Sequence, residues 1–414
     1  MIVSVIGACG HVGFPFSVVL ADAGHTVHGI DINSGLCLKM NGGYVPYVEK
    51  GIEAPLNEAL QKKLLNFTTK TKMIAQSDVV AIMIGTPVDA ENNPRLDELM
   101  NFVKYELADK FKKGQLIILR STVSPGTTEI VRDIIENETR RTEGVDFHLV
   151  FCPERVAQGQ GFEESKKFPQ LIGAFTDEGF QKAQEFFKTF VDNECFHLTP
   201  REAETGKLIT NMYRYVNFAL ANEFYMITDR QGVDLHKVIA ACNYEYPRMQ
   251  LPTPGPNVGG PCLFKDGRFL LTDVPYADLI NTSFLINEGM PDYIFSRIKE
   301  VHGSLLHKRI LVLGMSFKAE SDDIRNSLSF KMRKVAIKNG CEVDCYDPTL
   351  PKYAGGLKLG LYDAIVLMTP HKALEDWLTN NWMCLQMDTV VVDIWKHFPE
   401  SKKTATGIYK VQDV

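Results

Sequence analysis

Short apolar runs rich in valine and isoleucine recur along the chain, each closed by a glycine or a polar turn. MIVSVIG opens the series, and HTVHGIDIN, SDVVAIMIGTP (Ser77–Pro87), GQLIILRSTV (Gly114–Val123), FHLVFCPE and FPQLIGA follow. Continuous apolar runs of this kind predict strands buried on both faces, as in a parallel sheet covered by helices. The stretches between them alternate accordingly. FPFSVVLADAG carries apolar residues at helical spacing, and VDAENNPRLDEL reads as a polar turn leading into a helix. The end of the chain repeats the plan with KRILVLGMSFK (Lys308–Lys318), NGCEVDCYDP, YDAIVLMTP and DTVVVDIW. Between the two series, AETGKLITNMYRYVNFALANEFYMITDRQG predicts one long helix ending at Gly232.

The first turn adds a chemical signature. ACGHVG places Gly7, Gly10 and Gly13 at G-x-x-G-x-x-G spacing between a strand and a helix, and Asp31 ends the second strand. A dinucleotide fingerprint read backward from Gly13 would have glycine where Ala8 stands. Strand, turn, helix and second strand together predict a dinucleotide site, with the pyrophosphate on N–H groups at the helix N-terminus. A carboxylate at Asp31 accepts both adenosine ribose hydroxyls, which favours NAD over NADP. In the terminal series Asp347 stands in the place of Asp31, but the glycine fingerprint is missing. A different ligand is therefore expected at that sheet's switch point. The expected fold class is α/β: two Rossmann-like parallel-sheet domains (1–202 and 305–414) joined by a central helical domain (203–304).

Composition narrows the partners. A chain of 414 residues with 45% hydrophobic and 23% charged content can build two or three domains with sizeable cores. Net charge is −6 and no basic block tracks a phosphate backbone, so nucleic acid is not an expected partner. The apolar N-terminus has no basic leader and glycines interrupt it, so it reads as a strand and turn, not a signal peptide. No apolar stretch is long enough to span a bilayer. The nine cysteines are scattered, without a C-x-x-C pair. That pattern argues against a disulfide framework and a zinc site, and for a reducing cytoplasm.

Two stretches carry further candidate chemistry. On the long helix, Lys207, Asn211 and Arg214 fall at i, i+4 and i+7, and Asn217, Asn222 and Glu223 add polar groups to an apolar element. Buried polar groups need partners, so this row is expected to face a ligand. NVGGPCLFKDG (Asn257–Gly267) sets Cys262 just after a glycine pair and just before Lys265 and Asp266. Flexible glycines, a cation and a carboxylate suggest a thiol presented to a ligand, whereas Cys152, at a strand end, is expected to pack, and Cys9 to be merely small enough for its turn.

IGACGHVGFP, DVVAIMIGTPVD, RSTVSPGTTE, CPERVAQG, ETGKLITNMYRYVNFALANE, NVGGPCLFKD and GMSFKAESDDIRNS, in this order, resemble the UDP-glucose/GDP-mannose dehydrogenase family over essentially the whole chain. CPER resembles its branch acting on UDP-N-acetylhexosamines, UDP-N-acetylmannosamine in particular. The resemblance implies oxidation of a nucleotide-sugar C6 alcohol to a carboxylate with two NAD molecules in turn, through a thiohemiacetal and a thioester. Cys262 matches the catalytic thiol. Lys207 and Asn211 match the groups that stabilise the developing alkoxide, Thr122 and Asp266 those that position a water, and Glu154 a general base. Gly7, Gly10, His11, Val12, Gly13, Asp31, Thr86, Pro87, Thr122, Lys265 and Arg325 would lie about the cofactor. Glu154, Arg155, Lys207, Asn211, Arg214, Gly259 and Lys318 would lie about the sugar nucleotide. Arg248 matches an arginine offered across a homodimer to the neighbouring site. No metal is implied.

Three positions depart from the family's usual residues. Leu36 replaces a lysine near the adenosine ribose, Gln158 replaces the glutamate of the UDP-glucose branch, and Phe264 replaces a proline after Leu263. UDP-glucose or GDP-mannose are the alternative substrates. A two-electron hydroxyacid-type dehydrogenase would need neither the cysteine nor the second nucleotide unit, and a silent nucleotide sensor would not need Lys207, Asn211, Cys262 and Asp266.

Overall fold

The computed structural model describes residues 1–89, 93–271, 274, 276–355, 361–398 and 404–413, except the side chains of Cys262 and Phe264. The Ala90–Asn92 part of the expected polar turn lies outside the described residues. Two compact units result: residues 1–210 with a short segment beginning at Arg268, and residues 211–267 with the chain from Val274 onward.

The first unit is built on eight strands: β1 (Ile2–Ile6), β2 (Thr26–Ile30), β3 (Leu65–Thr68), β4 (Val79–Ile82), β5 (Gln115–Leu119), β6 (Phe147–Phe151), β7 (Gln170–Ala174) and β8 (Cys195–Leu198). Their order is β3-β2-β1-β4-β5-β6-β7-β8, parallel except for the β6–β7 pair. The predicted runs are strands for the predicted reason, since alternate residues feed two cores. Val79 and Ala81 join one apolar cluster, while Val80 and Ile82 join the other on the opposite face. The helix Gly13–Asp22 is buried along nearly its whole length, with Phe14 and Phe16 at 0% and 1% exposure. Each such phenylalanine contributes about 2–3 kcal/mol of burial. The sheet reverses direction between β1 and β4, which opens a crevice at the carboxyl ends of those strands.

The second unit repeats this logic with β9 (Arg309–Leu313), β10 (Glu342–Tyr346), β11 (Ala364–Leu367), β12 (Val390–Val392) and β13 (Ile408–Lys410), in the order β10-β9-β11-β12-β13. Only β12–β13 is antiparallel, and the switch point lies between β9 and β11. Helices cover both faces, and one core takes in Tyr225, Leu235 and Ile239 together with Ile310 and Val312.

The predicted long helix runs Pro200–Gln231 and stops at Gly232, whose φ of +67° is the left-handed conformation that ends helices. It begins in the first unit and continues in the second. NVGGPCLFKDG, expected as a glycine loop, is only partly one: the chain is helical from Gly260 to Leu270. Pro261 in the first turn costs no hydrogen bond there, so the helix tolerates it. Among the described residues no helix is long and apolar enough to cross a membrane.

Candidate active site

In the first unit the chain turns from β1 into its helix through Gly7–Gly13. Gly7 has φ +81°, and a Cβ there would lie 2.7 Å from the Met83 carbonyl oxygen. A Cβ at Gly13 would lie 2.2 Å from the Gly7 oxygen. Both positions therefore require glycine, and backbone N–H groups line a turn with no side chain to fill it. Asp31 stands beside the turn: Oδ2 accepts from the Cys9 N–H and Oδ1 from the Asn33 N–H, each at 3.0 Å. Each oxygen keeps a lone pair for a hydroxyl. This cradle fits a dinucleotide with a free ribose diol.

The other cofactor candidates surround that turn. Val12 is 39% exposed on its rim. The His11 ring stacks on Tyr47 at 3.6 Å, and its Nδ1 lies 2.9 Å from Gln158 Nε2, which makes it a turn residue held in place. Tyr47 Oη donates to the Cys9 carbonyl at 3.0 Å. Beyond β4, the buried Thr86 donates its hydroxyl to the Thr122 carbonyl at 2.6 Å, tying two candidate residues together, and Pro87 beside it is exposed. Leu36 lies in the first turn of the helix Ser34–Asn41, its N–H donating to Asn33 Oδ1.

At the ends of β5 and β6 lies a charge pair that the sequence did not single out. Arg120 is 4% exposed and its Nη2 donates to Glu154 Oε2 at 2.5 Å. The guanidinium lies over the Phe16 ring at 4.5 Å and the Phe187 ring at 5.3 Å. Glu154 Oε1 accepts from the Arg155 N–H at 2.9 Å, so both carboxylate oxygens are oriented. The Arg155 guanidinium donates to the Pro169 carbonyl. Cys152 packs as expected: it is fully buried, near Arg120 and Gln170, and burial pushes its thiol up to about 12.

Glu204 is a second group that the sequence reading passed over. It is fully buried, and its Oε2 accepts from the Gly126 N–H at 2.6 Å. Its Oε1 accepts from the Thr128 N–H at 2.7 Å and the Thr128 hydroxyl at 2.5 Å. The carboxylate thus caps the helix Thr127–Thr139 from the long helix, one turn before Lys207, and sets that helix against the loop that follows Thr122. Burial raises its carboxyl above the usual range, against the lowering effect of these bonds. Lys207 itself is buried, at 9% exposure.

In the second unit the buried Asn211 donates through Nδ2 to Asp266 Oδ2 at 2.6 Å, and Asp266 is 1% exposed. Lys265 Nζ lies 3.5 Å from Asp266 Oδ1. The helix Gly260–Leu270 therefore presents Lys265 and Asp266 on one side and carries the Cys262 backbone in its first turn. The Cys262 and Phe264 side chains lie outside the described residues. Gly259 has φ +151°, and no atom would meet a Cβ there, so the backbone is open to close approach. Asp347 does for this unit what Asp31 does for the first, with Oδ2 accepting from the Met315 and Ser316 N–H groups at 2.7 and 3.0 Å.

The remaining candidates are less committed. Arg325 is engaged with Asp323, Nη2 to Oδ2 at 2.6 Å. The Lys318 carbonyl accepts from the Ser316 hydroxyl at 3.0 Å. Arg214 and Arg248 are exposed, so the expected row on the long helix is buried at Lys207 and Asn211 but not at Arg214. Further along, Asn222 is fully buried between Asn287 and the Gly255 N–H, and Glu223 is exposed.

Residues 1–191, 201–288 and 311–399 match, in turn, the NAD binding, central and UDP binding domains of the UDP-glucose/GDP-mannose dehydrogenase family. The UDP-N-acetyl-D-mannosamine dehydrogenase of Pyrococcus horikoshii is 33% identical over 92% of this chain and 91% of its own length. The chain belongs to the UDP-glucose/GDP-mannose dehydrogenase family. It is an NAD-dependent nucleotide-sugar dehydrogenase, as the glycine turn and Asp31 led one to expect. The NDP-N-acetyl-D-galactosaminuronic acid dehydrogenase of Ralstonia nicotianae is 30% identical over 89% of this chain and 90% of its own. Among solved structures, the UDP-D-ManNAc dehydrogenase of Pyrococcus horikoshii superposes with a TM-score of 0.88 at 32% identity, covering 95% of each chain. A UDP-glucose dehydrogenase from Pyrobaculum islandicum gives 0.84 at 26% identity, covering 95% of this chain and 93% of its own.

Proposed function

We propose that this dehydrogenase oxidises the C6 alcohol of a UDP-N-acetylhexosamine, such as UDP-N-acetylmannosamine, to the uronic acid, with Cys262 as the covalent nucleophile. The observation that carries the reading is the helix Gly260–Leu270, which places Cys262 in its first turn and fixes Asp266 to Asn211. The first turn of a helix favours an anion, here a thiolate. The substrate class rests on relatives named for N-acetylated sugars and on Arg155 in CPER.

Gly7, Gly10, His11, Val12, Gly13, Asp31, Thr86, Pro87, Thr122, Lys265 and Arg325 would hold NAD, which accepts one hydride in each oxidation. In the first, the C6 hydroxyl loses its proton and C6 loses a hydride, leaving the aldehyde, while Lys207 and Asn211 stabilise the oxygen's developing charge. The Cys262 thiolate adds to the aldehyde carbon, giving a thiohemiacetal. Loss of its carbon-bound hydride and its hydroxyl proton leaves a thioester. Water positioned by Thr122 and Asp266, deprotonated by Glu154, cleaves the C–S bond and returns the thiolate. Arg155, Arg214, Gly259 and Lys318 would bind the sugar nucleotide. The enzyme would act as a homodimer in the cytoplasm, with Arg248 completing the neighbouring site, and the chain would divide functionally at about 202 and 304.

The test is the number of NADH formed per sugar nucleotide over a panel of UDP- and GDP-sugars: two for this reading, one for a simple alcohol dehydrogenase, none for a sensor. Cys262→Ala should bind both ligands yet lose carboxylate formation by several orders of magnitude, about a thousandfold or more. A folded Cys262→Ala enzyme that makes the uronate at the wild-type rate ends the thioester mechanism.

A further inference from the structure

Asn257 opens the cysteine-bearing stretch, and none of the roles above involves it. Its side chain is 5% exposed. Oδ1 accepts from the Leu328 N–H at 2.8 Å, which fixes the orientation of the amide. Nδ2 then faces four acceptors: the Ser316 carbonyl at 3.0 Å, Ser327 Oγ at 3.0 Å, Ser329 Oγ at 3.2 Å and Thr369 Oγ1 at 2.8 Å. Ser316 follows β9 and Thr369 follows β11, the two strands that flank the switch point of the second sheet. The carboxyl-end crevice at a switch point is where ligands bind in an open parallel sheet. Here, part of its inner wall is gripped by the loop that leads to Cys262.

Two glycines show how tightly that loop is seated. A Cβ at Gly255 would lie 2.0 Å from the Trp395 ring, and one at Gly260 would lie 2.4 Å from the Phe317 ring. Phe317 belongs to the same turn as Ser316. The loop is thus held at Gly255, Asn257 and Gly260, and the helix begins at the last of these. At its far side the helix is held by the Asp266–Asn211 bond. A displacement of the Ser316–Phe317 turn therefore passes directly into the first helical turn. The amide also has two hydrogens for four acceptors, so it can pair with the β9 turn or with the hydroxyls around it. A clamp with discrete hydrogen-bond arrangements is the kind of element that two sites can bias.

We propose that Asn257 is a positioning residue that couples occupancy of the second sheet's crevice by a nucleoside diphosphate to the placement of the Cys262 helix. The coupling matters for the reaction only if Cys262 is the nucleophile, as read above. Its consequence is that the thiol is aligned for attack when the nucleotide end of the substrate is seated, so the residue acts on turnover more than on binding.

The experiment uses the full-length enzyme, with UDP as the probe and iodoacetamide as the reporter, the Cys262 peptide being followed by mass spectrometry. In the wild type, saturating UDP should change the Cys262 alkylation rate by about fivefold or more, within the usual range of coupling between sites. Asn257→Ala, and the milder Asn257→Ser if alanine unfolds the protein, should still bind UDP within about threefold by calorimetry but lose the UDP dependence of alkylation. The variants' kcat should fall about tenfold or more, with KM for the sugar nucleotide within about threefold. The proposal is overturned if a folded variant keeps the wild-type UDP-dependent ratio, if its kcat is unchanged, or if UDP has no effect on Cys262 in the wild type. Alkylation reads the thiol without turnover, so its result stands apart from the Cys262→Ala assay. Failure there overturns the thioester chemistry, whereas failure here overturns the coupling.

Discussion

Replacing Arg120 by methionine removes the positive partner of Glu154 while keeping much of the side chain's volume. The pair has side-chain exposures of 2% and 11%, so water cannot take over the solvation of the carboxylate left behind. At an effective dielectric near 20, opposite charges about 4 Å apart attract by about 4 kcal/mol. Breaking a buried pair from one side costs about 3–5 kcal/mol for the same reason. The cation–π contacts with Phe16 and Phe187 add about 1–2 kcal/mol, which methionine's packing against the same rings partly returns. A net loss of about 3 kcal/mol is expected for Arg120→Met, and a similar loss for Glu154→Gln, which strands a buried guanidinium.

The double variant decides whether the cost is the pair itself. With both charges gone, neither is left uncompensated, so its loss should fall short of the sum of the singles by about 2 kcal/mol or more. All three tryptophans, Trp377, Trp382 and Trp395, lie in the second unit. Urea unfolding followed by tryptophan fluorescence therefore reports that unit, and far-UV circular dichroism is needed to see the first. The expected result is a lowered first-unit transition in each single variant with the fluorescence transition little changed. Losses that add within about 0.5 kcal/mol would refute the argument that pairing holds Glu154 in place.

Asp31 should repel a 2′-phosphate, giving at least about a 100-fold preference for NAD over NADP in kcat/KM, or about 2.7 kcal/mol, and equal use of the two cofactors would contradict its role. Burial alone would raise the Asp347 carboxyl, but hydrogen bonds from His371 and Thr349, the His371 charge and the Ser316 N–H hold it well below the usual carboxylate range. A depressed carboxylate stabilises the fold above its unfolded pKa of about 4 and loses that contribution as pH falls through the folded value. The melting-temperature deficit of Asp347→Asn should therefore be largest near neutrality and shrink below about pH 4; a deficit independent of pH would be evidence against it. On the long helix, Ile209 and Tyr213 are 54% and 64% exposed, in keeping with a covered face in a homodimer. Sedimentation should give a dimer, and a monomer with full activity on dilution would rule it out.

The strands were legible because each is buried on both faces, so its apolar run is continuous and needs no partner to be recognised. Gly7 and Gly13 were legible because close backbone approach admits one residue type. The Arg120–Glu154 pair was not, because it joins residues 34 apart in sequence that meet only once β5 and β6 lie side by side. Nothing in GQLIILR distinguishes an arginine that ends a strand in solvent from one sandwiched between phenylalanines. Glu204 was hidden in the same way, since its partners on Gly126 and Thr128 are 78 and 76 residues distant. The helix at Gly260 was within reach: Pro261 in a first turn and Arg268 in a last turn are ordinary helix signals. The glycine pair outweighed them, although those glycines serve the turn before the helix.

The echo between Asp31 and Asp347 shows where the two sheets have parted. Both carboxylates accept N–H groups from the turn after the first strand of their sheet, so the local architecture is shared. In the first sheet the turn then runs through glycines that leave its N–H groups uncovered, as a pyrophosphate requires. In the second, Met315 is fully buried and the Ser316 carbonyl is taken up by Asn257 and Thr369. A dinucleotide laid across this turn in the manner of the first would have to displace that packing. Any nucleotide held by the second sheet must therefore be gripped from outside the turn, and the turn is left to face the loop that carries Cys262. The loss of the glycine fingerprint, visible in the sequence as an absence, is thus the condition for seating that loop.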